Sequence, residues 1–263
     1  FHLFTLILRE YIGSNSEVAP VVQSVVPNMF ECVFKRLRSE DEDPEVRDAA
    51  SECAGELVTA FGKSNLEESQ TTCNLLCERL SSESSRIGTL KALTRIGQSS
   101  SAALLTPLVA RLSILMASFL PLHQRRLREV TLESLAIIVK TPSFNAHSEL
   151  LESLCEVLIS GDPRSIALSL RLCGDLFQSK REDLITVFHE NGWHNTLDLI
   201  AKGDSDAMVL EGILYLLKSL VSVDCQPLSV SEMFLALTKL AETSNANEMV
   251  SQKQLSIAKC IPI

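Results

Sequence analysis

The chain has 263 residues, 46% of them hydrophobic and 22% charged, which is too apolar for a disordered segment. Its 24 basic and 33 acidic residues leave a formal net charge of −9, a balance that argues against nucleic acid as a partner. Only 10 Gly and 9 Pro stand against 42 Leu, so turn-formers are too scarce for a sheet sandwich and leucine is abundant enough for long helices.

Apolar residues recur along the chain at helical spacing, one stretch after another. Residues 1–12 read as the second helix of an earlier pair. First helices are expected near 26–39, 66–81, 104–120, 147–160, 181–201 (interrupted at Gly192) and 229–242. Second helices are expected near 44–61, 84–97, 122–140, 163–178, 205–223 and 249–261. The clearest is 44–61, where Val46, Ala49, Ala50, Cys53, Ala54, Leu57, Val58 and Phe61 form one stripe. Glu45, Asp48, Glu52 and Glu56 are expected on the opposite, solvated side. Asp43 can cap its first N–H groups, and Pro44 forfeits an N–H that had no partner. The acids at 40–45 suit the positive helix start, and Gly62 closes the helix. Asp162-Pro163 repeats the start signal, whereas Thr141-Pro142 falls where a helix has ended.

The first strong apolar anchors of the early second helices are Val46, Ile87, Leu127 and Ile166, spaced by about 40 residues. A two-helix unit at this period is the pattern of HEAT repeats. Asp43-Pro44-Glu45-Val46-Arg47, followed by Ala50, resembles the second-helix motif of that family. The expected fold is all-α, a HEAT-type α-solenoid of about six helix pairs, with residues 1–263 as a single array. Each pair has an apolar face too wide to bury alone, so neighbours stack over a shared core. Such a fold holds large partners and seldom encloses a catalytic pocket.

Three groups of residues could carry chemistry. Cys73 and Cys77 share a helical face, but no second pair completes a zinc set, and core packing is the expected role. His189 and His194 flank Gly192 and Trp193. They are expected to lie partly exposed beside a bend at which Trp193 is packed. His123, Arg125, Arg126 and Arg128 form the strongest basic cluster, with the arginines expected on the solvated side and an acidic protein surface as one candidate contact. The eight Cys fall largely at apolar helix positions, which indicates free thiols in a reducing, intracellular setting. No run of apolar residues approaches the roughly 18–20 needed for a membrane-spanning helix. Nucleotide-loop, nucleophile-elbow and metalloprotease motifs are absent from the sequence, so no catalytic, cofactor-binding or metal residue is assigned and no cofactor is expected. A chain opening at Phe1 is expected to be a piece of something longer.

Several segments, in order, resemble the cullin-associated, neddylation-dissociated (CAND) family. They are Met29-Phe30-Glu31-Cys32-Val33-Phe34-Lys35-Arg36-Leu37 with Asp43 to Gly55, and Leu80 to Ile96 with Arg86 and Thr89-Leu90-Lys91-Ala92-Leu93-Thr94. Further along come Ile114 to Leu120, Gln124-Arg125 through Thr131-Leu132, and Lys253-Gln254 with Ser256-Ile257-Ala258-Lys259-Cys260. The resemblance implies a central piece of an all-HEAT protein that wraps an unmodified cullin and its RING subunit. It implies blocked attachment of the ubiquitin-like modifier and exchange of substrate adaptors, in the cytoplasm or nucleus, without catalysis. No membrane, nucleic acid or small-molecule substrate is implied. The alternatives are another HEAT scaffold or transport receptor with a different partner, and an enzyme or metal protein built on the Cys and His residues.

Overall fold

A computed structural model describes residues 2–13, 20–39, 43–141, 144–145, 147–178, 182–201, 206–223 and 230–246. Among them the regular structure is helical throughout, with no strand. The helices are α1 (His2–Gly13), α2 (Pro20–Arg38), α3 (Pro44–Phe61), α4 (Leu66–Arg79), α5 (Arg86–Gly97), α6 (Val109–Ala117) and α7 (Arg125–Ile138). They continue as α8 (Ser148–Ser160), α9 (Pro163–Phe177), α10 (Glu182–Asn191), α11 (Trp193–Ala201), α12 (Ala207–Val223) and α13 (Val230–Ala246). The helix expected near 249–261 lies outside the described residues.

The start signals work as the sequence implies. Asp43 accepts from the Glu45 N–H at 2.8 Å ahead of Pro44, and Asp162 accepts from the Ser165 N–H at 3.3 Å and its hydroxyl at 2.7 Å ahead of Pro163. Two helix starts differ most from expectation. Helix α2 begins at Pro20 and carries Pro27 inside it; the backbone acceptor that Pro27 leaves free belongs to Gln23, an exposed residue that water can reach. The stretch expected as a helix over 104–120 opens instead as a 3-10 segment, Ala102–Leu108, containing Pro107, before α6. Gly62 does end α3, but with φ −58° rather than in the left-handed region. What requires glycine there is space, because a Cβ would sit 2.5 Å from Ser101 Oγ.

The chain divides into two compact units, Phe1–Met116 with Glu133–Asn145, and Ala117–Leu132 with Ala146–Ile263. In the first, α1, α3 and α5 lie side by side, and α2 packs on α3 and α4. Phe30, Cys53, Leu57, Phe61, Leu76, Leu93 and Ile96 fill its interior. Helices α3 and α5 approach so closely that a Cβ on Gly55 would lie 2.9 Å from the Ala92 Cα. In the second, α9 runs along α12, α8 packs on α9 and α10, and α11 contacts α8 and α13. Phe177 and Phe188 meet edge to face there, ring centroids 5.2 Å apart. Gly212 lets α12 approach the Ala167 backbone, with 3.0 Å between its notional Cβ and the Ala167 carbonyl oxygen. No helix among the described residues is long and apolar enough to cross a membrane.

Candidate interaction surface

The repeat period reappears as polar pairs between successive second helices. Thr94 and Ser134 hydroxyls are 2.7 Å apart, Arg95 donates to Glu56 at 3.3 Å, Arg171 to Glu211 at 3.0 Å, and the Tyr215 hydroxyl to Asp175 at 2.5 Å. Each pair spans about 40 residues of sequence, one repeat. The bond to Asp175, helped by burial, holds the Tyr215 phenol above its ordinary range. Arg95 in the first unit, and Arg171 and Glu211 in the second, are exposed, so each unit presents charge from these pairs to solvent.

Glu56 is the residue the helical pattern misplaces. Grouped with the solvated acids of α3, it is only 2% exposed. Arg9 of α1 reaches it at 2.7 Å from one side and Arg95 of α5 at 3.3 Å from the other, while Arg9 also holds Glu52 at 2.6 Å. Val46 errs in the opposite sense: placed on the core stripe, it is 37% exposed at the open first turn of α3.

The basic cluster at 123–128 is dispersed by the fold. Arg128, expected in solvent, is 7% exposed; its Nε donates to the Leu120 carbonyl and its Nη2 to the Leu122 carbonyl, each at 3.0 Å. It satisfies acceptors left over in the turn before α7. Arg125 is solvated but engaged by Glu129 at 3.0 Å and Asp162 at 3.6 Å. Only His123 and Arg126 remain as exposed residues without such a role here. Replacing Arg128 with Met, which keeps the stem and removes both donors, is expected to destabilise the protein by about 3 kcal/mol in urea unfolding. The exposed neighbour Arg126→Met is expected to shift stability by less than about 0.5 kcal/mol.

Asp162 is partly buried, which pushes its carboxyl up, yet Ser165 and Arg125 together hold it below the ordinary value. The charged form is therefore favoured in the folded state. That stability is present above the usual carboxylate range, near about pH 4, and fades as pH falls through the depressed folded value. Asp162→Ala should cost about 1 kcal/mol at neutral pH. The gap from wild type in thermal melts should close on acidification.

Cys73 and Cys77 lie buried on α4. Burial pushes the Cys73 thiol up to about 12, and Cys77 also rises. Among the described residues, no group of three or more His, Cys, Asp or Glu could hold a metal. Cys155 and Cys53 are likewise raised by burial, to about 12 and about 11, whereas Cys32 is exposed. A maleimide added to the folded protein should therefore label Cys32 quickly, with Cys53, Cys73, Cys77, Cys155 and Cys173 labelled only when denaturant opens the helices. Mass mapping of the labelled peptides checks this. Cys225 and Cys260 lie outside the described residues, as do the acids at 40–42.

The bend at 189–194 forms as the sequence suggests. Helices α10 and α11 meet at Gly192, whose missing Cβ would lie 2.6 Å from the Phe188 ring and 2.7 Å from Cys155 Sγ. Trp193 is buried. His189 stands 3.9 Å from Glu232 and His194 3.8 Å from Asp198, both in solvent-accessible positions on separate sides of the bend.

No protein-family model matches the chain. Its fold is similar to a designed armadillo repeat protein (TM-score 0.61, 12% identity, 90% of this chain and 100% of that one). It is similar also to a designed armadillo repeat protein in complex with the peptide (KR)4 (TM-score 0.64, 16% identity, 90% and 99%). These likenesses establish an all-α repeat solenoid of the armadillo and HEAT type. In sequence the chain is 27% identical to Cullin-associated NEDD8-dissociated protein 1 of Dictyostelium discoideum, over 98% of this chain and 21% of that protein. It is 28% identical to the Drosophila melanogaster protein of the same name, over 75% and 16%. With Cullin-associated NEDD8-dissociated protein 2 of Mus musculus the identity is 30%, over 62% and 13%. The chain thus spans about a fifth or less of the length of these relatives. Along most of its length the sequence of this helical repeat chain is similar to the cullin-associated NEDD8-dissociated proteins.

Proposed function

We propose that the chain is one continuous HEAT-repeat array, residues 1–263, within a non-catalytic regulator of cullin–RING ubiquitin ligases. It contributes a stretch of surface to a longer protein that holds the unmodified cullin together with its RING subunit. Occupying that scaffold obstructs attachment of the ubiquitin-like modifier and promotes exchange of substrate adaptors. Action in the cytoplasm or nucleus follows from such a partner. The observation that carries this reading is the similarity to cullin-associated relatives along 98% of the chain, joined to a repeat fold suited to broad contacts.

The test uses the full-length protein that contains this chain. Immobilised cullin–RING complex, with or without the attached modifier, is mixed with it and the bound fraction measured. Retention by the unmodified complex and loss with the modified one are expected. Equal retention by both would overturn the reading.

A further inference from the structure

The geometry points to a docking site for an acidic peptide segment of a protein partner, in the cleft between the carboxyl ends of α2 and α4 and the amino end of α3. This goes beyond the cullin reading and stands or falls without it. The cleft has a volume of about 500 Å³ and lies wholly within the first unit. Leu37 and Leu75 give it an apolar floor, and Arg38, Arg47 and Arg79 line it against one lining acid, Glu78. Lys35 and Arg36 add positive charge from the last turn of α2. Asp48, next to Arg47, offsets part of that charge. The excess of arginine is local, since the chain as a whole carries −9.

The arginines differ in how they are used. Arg79 donates to the Leu37 carbonyl and ties the end of α4 to the end of α2. Arg9, Arg95, Arg125 and Arg171 each hold a carboxylate. Arg38 and Arg47 form no ion pair among the described residues. Arg38 lies over the Phe34 ring at 5.7 Å and is itself exposed. The Arg47 Nε is buried with no hydrogen-bond partner among the described residues, while the half-buried side chain lines the cleft. Two guanidinium forks beside leucines suit a carboxylate-bearing segment that also carries an aliphatic side chain.

The probe is a fluorescein-labelled peptide of alternating glutamate and leucine, read by anisotropy with the complete chain at low salt, against a glutamine–leucine control. Binding of the glutamate peptide alone is expected, weakening as salt rises. Arg38→Glu and Arg47→Gln should each weaken it about tenfold or more, while Arg126→Glu in the other unit leaves it unchanged. Glu40, Asp41 and Glu42, which follow the lining residue Ser39 in sequence, carry three negative charges. A variant with all three replaced by their amides should therefore bind the peptide at least as tightly. Should Arg47→Gln fail to fold by circular dichroism, the exposed Arg38→Glu still decides. Binding by neither wild type nor the amide variant, equal binding of the two peptides, or unchanged affinity in Arg38→Glu would each overturn the proposal.

Discussion

Gly55→Val is expected to destabilise the first unit by about 3 kcal/mol or more, the cost of overpacking a site with no room to yield. A Cβ at this position lies 2.9 Å from the Ala92 Cα and 3.0 Å from its Cβ. The obstacle is therefore helix backbone and not the free end of a side chain, so no rotamer change removes it. The helices α3 and α5 must separate instead. Separation also loosens the contacts of Leu57, Leu90 and Leu93, each fully or almost fully buried. Alanine at 55 would gain up to about 1 kcal/mol in helix propensity, which offsets only part of the same clash. Gly88 supplies the contrast. Its notional Cβ meets Asp48 Oδ1 at 2.6 Å, the mobile end of an exposed side chain. Gly88→Ala should therefore be neutral or stabilising by up to about 1 kcal/mol. Denaturant unfolding of the three variants checks the ordering, and a Gly55→Val protein as stable as wild type would mean that α3 and α5 do not meet closely.

The same pair of helices shows what the sequence reveals and what it withholds. The apolar period of 44–61, the Asp-Pro starts at 43–44 and 162–163 and the break at Gly192 are local properties, and each predicts its element to within a residue or two. Burial of a charged side chain is different, because its justification lies elsewhere in the chain. Glu56 is tolerated inside only because Arg9 and Arg95 arrive from helices 47 and 39 residues away. Arg128 is tolerated because two turn carbonyls need a donor. Neither partner can be inferred from spacing along one helix. Gly62 ends α3 as expected, but the reason a glycine stands there lies elsewhere in the chain: the space beside it is taken by Ser101. The surface that would meet a partner is harder still to read. Solvated residues such as Arg171 and Glu211 carry no local constraint that separates a contact from an ordinary exposed pair.

The buried carboxylate of Glu56 makes a sharper prediction about the ladder α1–α3–α5. It lies between two counter-ions, so removing one should be mild and removing both severe. Arg9 and Arg95 are 47% and 44% exposed, and solvent screens much of each attraction. Arg9→Ala or Arg95→Ala alone should cost about 1 kcal/mol, since the remaining guanidinium still compensates the charge. The double variant leaves a carboxylate inside without a counter-charge, a state that costs about 3–5 kcal/mol. The sum of the single effects should thus fall short of the double by about 1–3 kcal/mol, a coupling a double-mutant cycle measures directly. Glu56→Gln belongs between these limits, because it keeps the shape of the side chain while both arginines regain water. Strict additivity of the two arginine variants would show that Glu56 does not depend on them, and that α1 and α5 are not joined through it.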